Sequence, residues 1–189
     1  VTAYNAVSGE QVWRWFSIPA PKGDPTFDPI APNGWWGTWP THTPDGANLN
    51  RNVAAEKADS AKYADAWQRG GGGVWMTPAY DKALNMIYVA VGNPSPDLDG
   101  GVRPGDNLYT DCVVAIDATT GKTKWYYQTV PHDVWDLDAV SPPVVTMLGL
   151  DLGALLGGAF ITETLFGLPG IGNLAVTAIG TQDFPEVMG

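Results

Sequence analysis

Three stretches between residues 70 and 138 combine residue types at spacings that suit a chemical site. Gly70-Gly71-Gly72-Gly73-Val74-Trp75 sets bare backbone immediately before a large planar ring. Glycine permits close approach of another flat group, and the indole offers that group a stacking face. Farther on, a β-type run at 86–91 ends in Gly92-Asn93-Pro94-Ser95-Pro96. An asparagine amide oxygen held at a strand end is a ligand for a hard cation; the plain alternative is a turn. The third stretch, Pro131-His132-Asp133-Val134-Trp135-Asp136-Leu137-Asp138, carries three carboxylates in six residues. Such carboxylates accept protons or bind cations, or else cap the backbone of their own loop.

The elements that must position these residues read as β. Runs at 1–5, 11–17, 86–91, 112–116 and 124–128 are short and rich in β-branched and aromatic residues, with Gly, Asp, Asn or Ser turns between them. Two hairpins repeat at an offset of 112: Ala3-x-Asn5-x-x-Ser8-Gly9-x-x-x-Trp13 and Ala115-x-Asp117-x-x-Thr120-Gly121-x-x-x-Trp125. Asn/Asp and Ser/Thr bond their own backbone through such a turn, and Gly takes positive φ. The Trp then packs onto the neighbouring unit, as in propeller blades that cannot bury a face alone. At roughly 40–50 residues per blade, residues 1–145 hold about two blades once 18–69 is read as a loop excursion, so no ring closes. Within the excursion, 52–67 is Ala-rich and predicts a helix. Trp35, Trp36 and Trp39 either pack the loop or line a cavity, and His42 reads as an exposed loop histidine.

Composition narrows the classes. Nine Trp and 44% hydrophobic residues exclude disorder over most of the 189 residues. A net charge of −10 argues against binding nucleic acid or an anionic membrane surface through bulk charge. The one cysteine, Cys112, excludes an internal disulfide and a multi-cysteine zinc site, and reads as a small buried residue. Val1 opens on sequence that reads as mid-domain, so any export signal is absent or lies upstream. Near residue 146 the vocabulary changes: residues 146–189 hold no Lys, Arg, Trp, Tyr, His or Cys. The division is therefore 1–145 and 146–189.

The string from Trp75 through Tyr80-Asp81, Asn85-Met86-Ile87-Tyr88-Val89 and Gly92-Asn93-Pro94-Ser95-Pro96 resembles the signature of the quinoprotein alcohol dehydrogenases. Arg103-Pro-Gly-Asp106-Asn107, the 131–136 loop and the two Trp hairpins follow in that family's order. The resemblance implies a mainly β fold, an incomplete eight-bladed-type propeller. It implies pyrroloquinoline quinone (PQQ) as cofactor, with Trp75 forming its floor. Asn93 would bind the metal, normally Ca²⁺, beside Asp136, the catalytic base. Asp138 matches the extra aspartate of lanthanide-using relatives. A small alcohol or polyol would be oxidised by hydride transfer to PQQ, and electrons would leave to a cytochrome-type acceptor in the periplasm. Trp75, Asn93 and Asp136 would converge on one pocket; a non-catalytic propeller scaffold requires none of the three. His132 would position the loop. The family's glutamate ligand falls before Val1 and its quinone-facing basic residue after the match, so weak PQQ binding or none is expected of this chain.

The tail differs in kind. Ile161-Thr-Glu163-Thr-Leu-Phe166-Gly-Leu-Pro169-Gly170-Ile-Gly172-Asn-Leu174 with Asp183-Phe-Pro185-Glu resembles dipeptide/oligopeptide-type ABC importer permeases. Residues 147–159 predict an apolar helix, and any membrane contact would be confined to the 147–189 tail. The resemblance implies two joined fragments.

Overall fold

The computed structural model describes residues 1–143, which fall in the unit Val1–Pro143. The predicted helix at 147–159 and the boundary near residue 146 lie outside the described residues. The fold is mainly β. A hairpin of β1 (Thr2–Tyr4) and β2 (Gln11–Arg14) forms a two-stranded sheet. A four-stranded antiparallel meander follows in the order β3 (Ala79–Asp81), β4 (Met86–Ala90), β5 (Cys112–Asp117) and β6 (Thr123–Gln128). Both predicted hairpin pairings are present, Ala3 opposite Trp13 and Ala115 opposite Trp125. Against the expectation of about two blades, the described residues hold one four-stranded blade and one two-stranded sheet, because β2 leads into the excursion with no further strand paired to it.

The repeat is structural in detail. Asn5 Oδ1 accepts from the amides of Val7 and Ser8, at 2.8 and 3.0 Å. Asp117 Oδ1 accepts from Thr119 and Thr120, at 3.1 and 2.9 Å. Both turns close through a 2.8 Å bond from the glycine amide to the Asn or Asp carbonyl. The register shifts after Ala3 in one hairpin and after Ala115 in the other, the same place in the motif.

Trp13 carries the first hairpin onto the second. Its Nε1 donates to the Ala118 carbonyl at 3.0 Å, and its ring lies against Gly121. Trp15, two residues on and so on the same face, donates to Thr123 Oγ1 at 2.9 Å and stacks on Tyr109. The core continues through Val89, Val91, Val114 and Ile116, all fully buried, and Cys112 is buried among them. Trp125, the repeat's counterpart of Trp13, is 44% exposed.

This docking predicts a contrast between equivalent glycines. Gly9 and Gly121 have φ of +74° and +70°, so alanine at either carries about 1–2 kcal/mol of left-handed strain. A Cβ at Gly9 meets open space, whereas one at Gly121 comes within 2.5 Å of the Trp13 ring. Thermal denaturation should show Gly121→Ala costing about 1–3 kcal/mol more than Gly9→Ala. Equal losses would mean that the Trp13 contact contributes nothing.

The excursion corrects one expectation. Instead of a helix over 52–67, α1 spans Val53–Asp59, followed by turns and a 3₁₀ helix at Ala66–Arg69. Asn52 caps α1 through Oδ1, which accepts the Ala55 amide at 3.2 Å. No α1 residue is fully buried, and helix propensity without an apolar face sustains only a short helix. Trp35 is buried and packs against Gly70, while Trp36 and Trp39 stack on each other. These rings pack the loop. Among the described residues no helix is long and apolar enough to cross a membrane.

Candidate functional site

The glycine run and the Gly-Asn-Pro corner form one unit. Gly72 N donates to Asn93 O at 2.9 Å, Ser95 N to Gly70 O at 3.0 Å, and Gly92 N to Gly73 O at 2.9 Å. A Cβ at Gly71 would stand 2.6 Å from Ser95 N and 2.8 Å from Asn93 O, so the close approach made possible by glycine is that of the corner's own backbone. This ladder brings Trp75, at the end of the run, beside the end of β4. A Cβ at Gly92 would meet Trp75 Nε1 at 2.9 Å and Asp138 Oδ1 at 2.5 Å. The indole and the carboxylate both press on that glycine.

The acidic loop closes on the same corner. Asn93 Nδ2 donates to Asp136 Oδ1 at 2.8 Å, and Asn93 N donates to Asp138 Oδ1 at 2.6 Å. Trp75, Asn93, Asp136 and Asp138 therefore gather around one corner, with Trp75 57% exposed. Asp136 is exposed too. Among the described residues no three His, Cys, Asp or Glu side chains stand close enough to hold a metal ion; the oxygen set here is two carboxylates and one amide. That set suits a hard cation. As placed, the amide turns nitrogen toward Asp136; rotation about its terminal bond exchanges Nδ2 and Oδ1.

Asp133 follows the plainer reading of its loop. It is buried, and its carboxylate accepts the amides of Trp135 and Leu137, each at 2.8 Å. This self-capping turns the chain so that Asp136 and Asp138 take φ of +61° and +49°. Acidic and amide residues enter that region more readily than others, and such conformations cluster where the surrounding fold enforces them for function.

Arg103 joins corner and loop. Buried, it donates to Pro96 O at 2.8 Å, to Asp97 O at 2.7 Å, to Asn107 Oδ1 at 2.6 Å, and to Asp133 O. Burial pulls its pKa down to about 10, so it keeps its charge at neutral pH. Asp111, immediately before β5, donates its amide to Gly92 O at 3.2 Å. Neither of its buried carboxylate oxygens has a hydrogen-bond partner. Burial, with the charges of Asp133 and Asp138, pushes its pKa up to about 8.

Neither Arg103 nor Asp111 was assigned a role from sequence. For Arg103 the signal was its motif with Asp106 and Asn107; for Asp111 there was none, since a strand-flanking aspartate reads as a turn residue. His42 is exposed, bonded to Thr41 Oγ1 at 3.0 Å. His132 is buried, and its Nδ1 lies 2.7 Å from the Gly105 carbonyl.

Residues 1–154 match the family described as glucose/ethanol/alcohol dehydrogenase, β-propeller domain, a PQQ family. Residues 138–189 match the binding-protein-dependent transport system inner membrane component. The quinohemoprotein alcohol dehydrogenase of Comamonas testosteroni is 38% identical over 77% of this chain and 18% of its own length. The lanthanide-dependent methanol dehydrogenase of Methylorubrum extorquens is 33% identical over 77% and 22%. A solved europium-containing methanol dehydrogenase superposes with a TM-score of 0.52 at 28% identity, over 78% of this chain and 24% of that one. The chain thus spans about a fifth of the length of the curated relatives it matches.

Proposed function

The chain belongs to the β-propeller family of PQQ-dependent glucose, ethanol and alcohol dehydrogenases, and from that premise we propose that residues 1–143 carry part of the active site of an enzyme oxidising a small alcohol. The observation that carries this reading is the meeting of Asn93 with Asp136 and Asp138 beside the exposed ring of Trp75. A scaffold has no need of an exposed indole and two aspartates at one corner.

The donors fit a hard cation, Ca²⁺ or a lanthanide, held by the Asn93 amide oxygen, Asp136 and Asp138. The exposed indole of Trp75 fits the flat quinone. When bound, cation and PQQ supply Lewis acidity and a hydride acceptor. The chain's own residues do the rest. Asp136, exposed at the loop tip, accepts the hydroxyl proton of the alcohol on a carboxylate oxygen. Asn93 holds Asp136 in place through its amide. Trp75 fixes the plane against which the substrate is presented, and Asp133 keeps the loop's turn. The electron acceptor is read as a cytochrome-type protein and the setting as the periplasm, in line with the quinohemoprotein relatives.

The test is to complete residues 1–143 with the remaining blades of the Comamonas relative. Oxidation of an alcohol with an artificial acceptor should then require both PQQ and metal. Activity indifferent to either would overturn the reading.

The transport-component match favours a second reading of the tail, in which residues 147–189 are a permease piece joined near the composition break at residue 146. Source DNA read across codons 140–150 decides it: two separate loci support joined pieces, and one contiguous locus supports a true fusion.

A further inference from the structure

The excursion reaches the acidic loop through a buried chain of charges. Arg51 meets Glu56 of α1 in a two-pronged pair, Nε to Oε1 at 3.0 Å and a terminal nitrogen to Oε2 at 2.7 Å. Its other terminal nitrogen donates to Asp106 Oδ1 at 2.9 Å. The Arg51 and Asp106 side chains are each 2% exposed. Glu56 Oε2 also accepts the Gly105 amide at 3.1 Å and lies 3.6 Å from His132 Nδ1. His132 donates its backbone amide to Asp106 O at 3.1 Å and bonds the Gly105 carbonyl through Nδ1. One residue on, Asp133 begins the cap that sets Asp136.

Resting on the reading of Asn93, Asp136 and Asp138 as a cation site, we propose that Glu56 is a positioning residue for the loop that carries Asp136. Its carboxylate ties Arg51, Gly105 and His132 together and so fixes where the 131–138 loop leaves the protein. The excursion is therefore part of the site's support. An Ala-rich surface helix needs no half-buried glutamate, and a buried arginine is already paired by Asp106.

The groups facing His132 are Glu56 and Arg51 from the excursion and Arg103 and the Gly105 carbonyl from the stretch before β5, with Asp106 beyond Arg51. Burial, with smaller help from the two arginines, outweighs the attraction of Glu56 and the Gly105 carbonyl bond and holds its pKa below the usual 6.5. The docked loop thus holds neutral His132. Its stability is full above pH ~6.5, the ordinary value in the released loop, and is lost as the pH falls toward the lowered docked value.

The test uses the 189-residue chain. Tb³⁺, whose emission tryptophan sensitises, is titrated while amide exchange is followed at Trp135 and Leu137 and, as reference, along β5. Glu56→Gln should speed exchange at both loop amides by about tenfold or more, the loss of a charge-assisted bond, weaken Tb³⁺ binding, and leave β5 unchanged. Asp65→Asn, in the exposed Asp65–Arg69 pair, should alter neither. If Glu56→Gln fails to fold, Glu56→Asp, which keeps the charge but shortens the reach to Gly105 and His132, should speed exchange at the same two amides and leave β5 unchanged. Parent-like loop exchange in whichever variant folds overturns the proposal. Loop protection in the unsubstituted chain, falling from pH 6.5 to 5 while β5 holds, checks the burial of neutral His132 separately. If the parent binds no Tb³⁺ yet Glu56→Gln frees the loop, the cation reading fails and this one stands. If Asp136→Asn abolishes binding while Glu56→Gln matches the parent, the reverse holds.

Discussion

Replacing Asp136 by Asn in the blade-completed enzyme should lower kcat for alcohol oxidation by about 10²–10⁴-fold, measured at saturating metal and PQQ. The substitution keeps the side chain's size. An amide oxygen still accepts the 2.8 Å bond from Asn93 Nδ2, so the loop keeps its place. What disappears is the acceptor for the alcohol proton and one negative charge at the cation. Saturating metal separates the two losses: weakened cation binding is compensated, and absence of the base is not. Asp133→Asn provides the comparison. Its damage should appear in loop order and stability, because Asp133 spends both oxygens on the amides of Trp135 and Leu137. Undiminished turnover in Asp136→Asn would refute the assigned base.

The largest effect on stability should come from Asp106→Ala. The carboxylate accepts the Thr38 amide at 2.5 Å, the Trp39 amide at 3.0 Å and the guanidinium of buried Arg51 at 2.9 Å. Alanine strands two backbone donors and leaves Arg51 with Glu56 as its single carboxylate. Breaking a buried pair from one side costs about 3–5 kcal/mol, a fall in Tm of roughly 10 °C or more for a unit of this size. Asp106→Asn keeps an acceptor and should lose less. A fall of only a degree or two in the alanine variant would show that the pair is not sealed from water.

How much of this was legible in the sequence depends on how local the cause was. The hairpins were legible because Asn5, Ser8 and Gly9, or Asp117, Thr120 and Gly121, determine their turns within a few residues. The corner at Gly92-Asn93-Pro94 was legible for the same reason, and the resemblance singled out Trp75, Asp136 and Asp138 beside it. The Arg51–Glu56–His132 network was not, since its members lie up to 81 positions apart and meet only after the excursion folds back. The helix over 52–67 was overread because alanine content reports propensity, whereas the length of α1 is set by the lack of an apolar face. Trp13 and Trp125 share one motif, yet the first is buried and the second half exposed. A docking tryptophan declares itself in sequence; its partner does not.

On the proposed reading, Trp75, Asn93, Asp136 and Asp138 share one cation–quinone site. The most direct measurement is an anomalous difference map from crystals of the blade-completed protein grown with La³⁺ and PQQ. One dominant peak is expected within oxygen-ligand distance, ~2.3–2.6 Å on the Ca²⁺ scale, of the Asn93 amide oxygen and the Asp136 and Asp138 carboxylates, with the quinone stacked on Trp75. A dominant peak elsewhere, with Asp136 and Asp138 still accepting only the Asn93 N–H groups and Trp75 bare, would contradict it.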